Sequence, residues 1–149
     1  MGHPPWSRRP PPQPQPDELP PWGWELRRPA DLTRSRTALR VEVLGAGVPT
    51  GDIGDDVERL LLAYEELASN GLRHGQAPVR ATVTATGTGW LIDVSDAAVD
   101  TSPTPAVDRD PALGGLGLHL VARLCSAYGW SVEAGRKHVW GYVSLAAVA

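Results

Sequence analysis

The stretch DDVERLLLAYEELASNGLRHG, residues 55–75, limits the possible folds more than any other part of the chain. At about 100° per residue, Leu60, Leu61, Tyr64, Leu67, Ala68, Gly71 and Leu72 share one broad face. A helix with so wide an apolar face must pack on a sheet. The chain supplies one. PVRATVTAT, residues 78–86, alternates with Val79, Ala81, Val83 and Ala85 on one side, as a half-buried strand does. Gly87 and Gly89 signal a hairpin, and WLIDVSD, residues 90–96, is its second strand. Two more strands are predicted over residues 130–134 and 138–145, and helices over 31–44, 55–73 and 114–128, with capping expected at Asp31. A proline-rich loop, residues 97–111, precedes the third helix. Helix, helix, two strands, loop, helix, two strands, with tight turns between neighbouring strands, describes an α+β two-layer sandwich and not a doubly wound parallel sheet.

A chain of 149 residues has room for one such domain. Its 15 prolines are concentrated at the start, in MGHPPWSRRPPPQPQPDELPPWGW. Proline lacks a backbone donor and pushes its predecessor toward extended geometry. Residues 1–24 are therefore expected to be a disordered head, followed by a folded domain over residues 25–149. Trp6, Trp22 and Trp24 are costly to leave in water, which suggests the alternative of a docking segment. The formal charge of -3 and the lack of a basic face argue against a nucleic-acid partner. Cys125 is the only cysteine, which rules out a disulfide within the chain and suits a reducing cytoplasm. No run approaches the ~18 apolar residues of a membrane span, and the head has no signal-peptide core, so a cytoplasmic protein with no membrane association is expected.

Opposite the apolar face of the long helix lie Arg59, Glu66, Asn70 and Arg73, within a stripe about 80° wide. Glu66 and Asn70 are one turn apart and can reach the same ion or ligand, whereas Glu65 points about 140° away from Asn70. A carboxylate and an amide oxygen are hard ligands that suit Mg²⁺ and its retained waters. A solvated helix face uses the same residues, and Asn70 before Gly71 and Gly75 also fits helix-stop chemistry.

The segment ALGGLGLHLVARLCSAYG places Gly114, Gly115 and Gly117 at the start of the third helix. Glycines let backbone amides approach an anion, and a helix N-terminus favours negative charge. A plain flexible turn has the same composition. The lysine-bearing P-loop pattern is absent, and Leu120 stands where the dinucleotide fingerprint needs glycine. Asp96 ends an apolar strand, where a buried carboxylate needs a donor such as an adenine amino group. Turn initiation is the alternative.

Taken together, these segments resemble the GHKL (Bergerat-fold) ATPase and kinase superfamily, and within it the anti-sigma-factor serine kinases of Gram-positive bacteria. ELASNGLRHG resembles the N box E-L-x-x-N-A-x-x-H-G, with Gly71 in place of alanine. WLIDVSD resembles the G1 region, GGLGLHLV the G2 box that ends the ATP lid, and RKHVWGYVSL the closing G-K-x-V-W strand. The D-x-G-x-G continuation of G1 is replaced by Asp96-Ala97-Ala98-Val99-Asp100. The resemblance implies a mixed, mostly antiparallel sheet covered on one face by helices. It implies ATP and Mg²⁺ as cofactors, Glu66 as general base and Asn70 as the Mg²⁺ ligand. Asp96 would accept from the adenine amino group, and the amides of Gly115, Gly117 and Leu118 would cradle phosphates. Arg73 and His74 would border the nucleotide; Lys137 would be a surface lysine or a site residue.

The implied function is that of a serine/threonine protein kinase and anti-sigma factor, with a sigma factor and a STAS-type antagonist as partners. A homodimer stays open. A nucleotide-binding regulator without kinase activity, supported by the altered G1 box, is the second reading. The catalytic domain of a two-component histidine kinase is the third.

Overall fold

A computed structural model describes residues 6–13, 20–46, 53–103 and 116–146. In chain order the elements are β1 (Trp22–Leu26), α1 (Pro29–Gly45), α2 (Ile53–His74), β2 (Val79–Ala85), β3 (Gly89–Asp96), α3 (Leu116–Leu124), β4 (Ala127–Glu133) and β5 (Arg136–Ser144). The strands form one sheet in the order β1-β2-β3-β5-β4. Every pairing among these five strands is antiparallel, as the expected mostly antiparallel sheet requires. The α+β class stands.

Period-2 patterning produces the sheet's inner face. Ala81 lies opposite Val94 and Val83 opposite Ile92, while Val94 also faces Val139. All five are buried in one core with Leu60, Leu61, Leu67 and Ala68 of α2. Each fully buried leucine contributes about 1.5–3 kcal/mol, so the apolar stripe of α2 is the main adhesive between the layers. Tyr64, on the same stripe, reaches α1 and donates from its hydroxyl to Ser35 Oγ at 2.6 Å. Burial pushes the Tyr64 phenol up to about 12, so it stays a donor throughout the physiological range.

Asp31 does not cap α1 from the N-cap position. It stands one turn further in, where Oδ2 accepts the backbone N–H groups of Arg27 at 2.9 Å and Arg28 at 3.0 Å, and Pro29 opens the helix. The two bonds hold the Asp31 carboxyl below its ordinary value of 3.8. The third helix is shorter than expected. It stops at Leu124 because Ser126 N–H donates to Tyr142 O at 2.9 Å and Ala127 pairs with Tyr142. Tyr128 and Trp130, both good strand formers, continue as β4.

The largest correction concerns the head. Trp22, Gly23 and Trp24 belong to β1, which pairs with β2 from Trp22↔Val83 to Leu26↔Val79. Residues 7–9 run parallel to the outer edge of β4, where Arg9 N–H donates to Trp130 O at 2.8 Å and Trp130 N–H to Ser7 O at 3.2 Å. Trp6 is 4% exposed, with its ring 4.8 Å from that of Tyr128. Trp130 Nε1 donates to Trp6 O at 3.0 Å and Trp140 Nε1 to Arg9 O at 2.9 Å. The Arg9 guanidinium lies over Trp140, 5.3 Å from the ring centroid, and donates to Tyr128 O. Proline-rich sequence is thus compatible with fixed structure at a sheet edge, where one side of the chain needs no partner.

On the face turned away from the helices, His138 Nδ1 lies 3.1 Å from both carboxylate oxygens of Asp93. That hydrogen bond raises the imidazole above its ordinary 6.5, with burial opposing it. Because the folded-state value is the higher one, the pair's stabilisation is complete below pH 6.5 and is lost as pH rises through the folded value. Urea midpoints measured across this range are expected to fall with rising pH. His138→Gln should flatten that slope, and an unchanged slope would remove the pair from the account.

Candidate functional site

The polar stripe of α2 becomes the floor of a groove of about 900 Å³. Glu66, Asn70 and Arg73 line it, as the helical spacing predicts, with His74, expected from the resemblance alone, and with Gly117 and Leu118 from α3; Arg59 of the same stripe lies outside the groove and donates to Ser144 O. Gly115 lies outside the described residues. The opposite wall comes from α1, through Leu32, Thr33, Arg36 and Thr37. These four were not anticipated as site residues. Their i, i+1, i+4, i+5 spacing was the available signal, since it places them on one helix face. Arg36 Nε pairs with Glu65 Oε2 at 3.4 Å, which links the two walls beside Glu66.

Glu66 is the chemically distinctive group. It is partly buried, and this burial raises its carboxyl above the ordinary 4.5; the Glu65 carboxylate adds to the rise and Arg73 opposes it. Its carboxylate lies against the first turn of α3. A Cβ on Gly117 would stand 2.1 Å from Glu66 Oε2, so only glycine admits the carboxylate at this place. The backbone N–H groups of a helix's first turn have no intrahelical acceptor. Gly117 and Leu118 open α3 among the described residues, and the Glu66 carboxylate stands against Gly117. Leu118 also has its side chain in the core, at 1% exposure, so the amide's position is fixed by packing.

Asp96 sits behind the His74 end of the groove and does not line it. It is 1% exposed. Oδ1 accepts the N–H of Ala98 at 2.7 Å and of Gln76 at 3.4 Å, and Oδ2 lies 3.6 Å from Lys137 Nζ. Gly75 makes this approach possible, because a Cβ there would lie 2.6 Å from Asp96 Cγ. Lys137 is corrected from a candidate surface residue to a core one, at 4% exposure. Alternation along β5 was the missed clue: Lys137 shares the inward register of Val139 and Val143.

The arrangement suits a nucleotide's phosphate end. The groove volume falls within the range of ligand pockets. Asn70 supplies a hard oxygen one turn from Glu66. Among the described residues no group of three or more His, Cys, Asp or Glu could hold a metal ion, so Mg²⁺ here would depend on phosphate oxygens and water for most of its ligands.

The family model described as the histidine kinase-like ATPase domain matches residues 27–140. No curated protein matches the chain.

Proposed function

Since the chain belongs to the histidine kinase-like ATPase domain family, we propose that it is an ATP-dependent protein kinase acting on serine or threonine. Its protein substrate would be a STAS-type antagonist, and the unphosphorylated antagonist would compete for it with a sigma factor that it sequesters. The resemblance of ELASNGLRHG and RKHVWGYVSL to the anti-sigma-factor serine kinases supports this choice of partners. No helix among the described residues is long and apolar enough to cross a membrane, in keeping with the cytoplasmic location proposed for such a regulator.

The observation that carries the reading is the half-buried Glu66 carboxylate, with its raised proton affinity, one helical turn from Asn70 in a groove capped by the start of α3. Glu66 takes the proton of the attacking hydroxyl, and its burial makes it a better base than an exposed carboxylate. Asn70 would hold Mg²⁺ through its amide oxygen. The amides of Gly117 and Leu118 orient the phosphates, and Arg73 and His74 at the rim offset their charge. When bound, Mg²⁺–ATP would supply the γ-phosphoryl group to that hydroxyl with ADP as the leaving group, and the metal would offset the developing charge.

Calorimetric titration of the full chain with ATP, with and without Mg²⁺, tests the site. Binding should need Mg²⁺, and Asn70→Ala should weaken it by about tenfold or more, the scale of a lost charge-assisted contact. No binding at millimolar ATP would overturn the nucleotide reading and leave a partner-binding module, an outcome that the loss of the G1 glycines at Ala98 and Asp100 favours. Phosphoserine on the antagonist separates the kinase from a module that binds ATP without turnover.

A further inference from the structure

A second cavity, of about 780 Å³, lies between α1, the start of α2 and the end of β5. It is separate from the groove described above, and Arg36 alone lines both. Its volume falls in the range of small-molecule sites.

Asp56 is the unusual group in its wall. It stands in the first turn of α2 and is 1% exposed. Oδ1 is used twice, by the Arg59 guanidinium and by the backbone N–H of Ala146 at 3.1 Å. Oδ2, equally buried, has no hydrogen-bond partner among the described residues. A carboxylate accepts at both oxygens, and a bare one away from water costs free energy until a donor reaches it. The neighbouring arginines are committed elsewhere. Arg59 Nη2 serves Asp56 Oδ1 and Ser144 O, and Arg36 is paired with Glu65 at 3.4 Å. The donor that suits Oδ2 therefore comes from outside the chain.

The charges around it select the kind of donor. Three carboxylates line the cavity, Asp55, Asp56 and Glu58, against the two guanidinium groups of Arg36 and Arg59. Glu58 is engaged by Arg40 at 2.7 Å, and Asp55 is exposed at the rim. A cationic N–H donor satisfies both Oδ2 and the negative excess, whereas a neutral donor satisfies only the first. Leu62 and Leu145, in the same wall, present apolar surface to an aliphatic stem.

We propose that this cavity binds a primary ammonium group carried on an aliphatic stem. The ammonium donates to Asp56 Oδ2, and the stem packs on Leu62 and Leu145. A free diamine brings its second ammonium to Asp55 at the rim; a lysine side chain has none to bring. The site is independent of the nucleotide reading.

Calorimetric titration of the full chain with cadaverine tests it. Binding is expected at about 1 mM or below, within reach of so small a ligand. The fully N-methylated analogue keeps both charges and the stem but has no N–H. It should bind about tenfold or more weaker, the scale of a charge-assisted hydrogen bond. N-acetyl-lysine amide separates the sources: weaker binding than cadaverine assigns the site to a free diamine, and equal binding assigns it to a lysine side chain. Asp56→Asn should lower cadaverine affinity by about tenfold or more. If that variant does not fold, the wild-type amide spectrum locates the ligand. The N–H of Ala146, bonded to Asp56 Oδ1, should shift on titration, and that of Gly117 in the other groove should not. No cadaverine binding at ~10 mM overturns the proposal. So does equal binding of the methylated analogue, unchanged affinity in folded Asp56→Asn, or a shift at Gly117 without one at Ala146.

Discussion

Replacing Glu66 by Gln is expected to lower turnover by about 10²–10⁴-fold, the range that a positioned general base supplies, while nucleotide affinity stays unchanged. Glutamine keeps the size of the side chain and its place against Gly117, but it cannot accept the hydroxyl proton. Under the proposed mechanism the two effects separate, because binding would depend on Asn70 and the α3 amides and proton removal on Glu66. The pH profile provides a second readout. Burial holds the Glu66 carboxyl above 4.5, so wild-type turnover should fall as pH drops through that raised value. The variant should lack this acid limb. Equal turnover in Glu66→Gln, measured as phosphate release or transfer, would end the base assignment.

Trp6→Ala is expected to destabilise the protein by about 3–5 kcal/mol, the usual cost of removing a fully packed large aromatic side chain. Small domains have only about 5–15 kcal/mol in total, so this is a large share. The ring is 4% exposed and stacks beside Tyr128, and its backbone oxygen holds Trp130 Nε1. Without the anchor, the segment is left to the backbone bonds of Ser7 and Arg9 and to the Arg9 contacts with Trp140 and Tyr128. The outer edge of β4 would then be bare, with Trp130 and Trp140 partly uncovered and free to pair with other chains. Urea unfolding followed by tryptophan emission should show an earlier midpoint and a redder native spectrum. A midpoint equal to wild type would mean that the head rests on the sheet without supporting it.

Which parts of this fold could be read from the sequence depends on whether local patterning or distant contact decides the outcome. α2, β2 and β3 are set by their own periodicity, and each appeared within two residues of the expected bounds. Glu66, Asn70 and Arg73 were legible for the same reason, since one helix face delivers them to one groove, whereas His74 came from the family resemblance. Long-range pairing determined the remainder. Residues 125–128 carry the apolar residues of a helix but were claimed by β5, through Tyr142. The head looked unable to fold because its prolines lack donors, yet a sheet edge needs bonds on one side only, and Ser7 and Arg9 provide them. Lys137 was misjudged because a charged side chain is seldom buried unless paired, and its partner Asp96 lies 41 positions away on another strand.

The strap formed by the head also fixes an order of events. Trp6 and Trp130 are 124 positions apart and Arg9 and Tyr128 are 119, although they touch in the finished molecule. On a ribosome adding about 5–20 residues per second, the head waits roughly 6–25 s for its docking strand to be made. Throughout that interval Trp6 has no pocket. The sheet's outer edge is therefore closed by a segment made 124 positions before its docking strand, and the growing chain carries an unsheltered tryptophan until almost the whole domain has emerged.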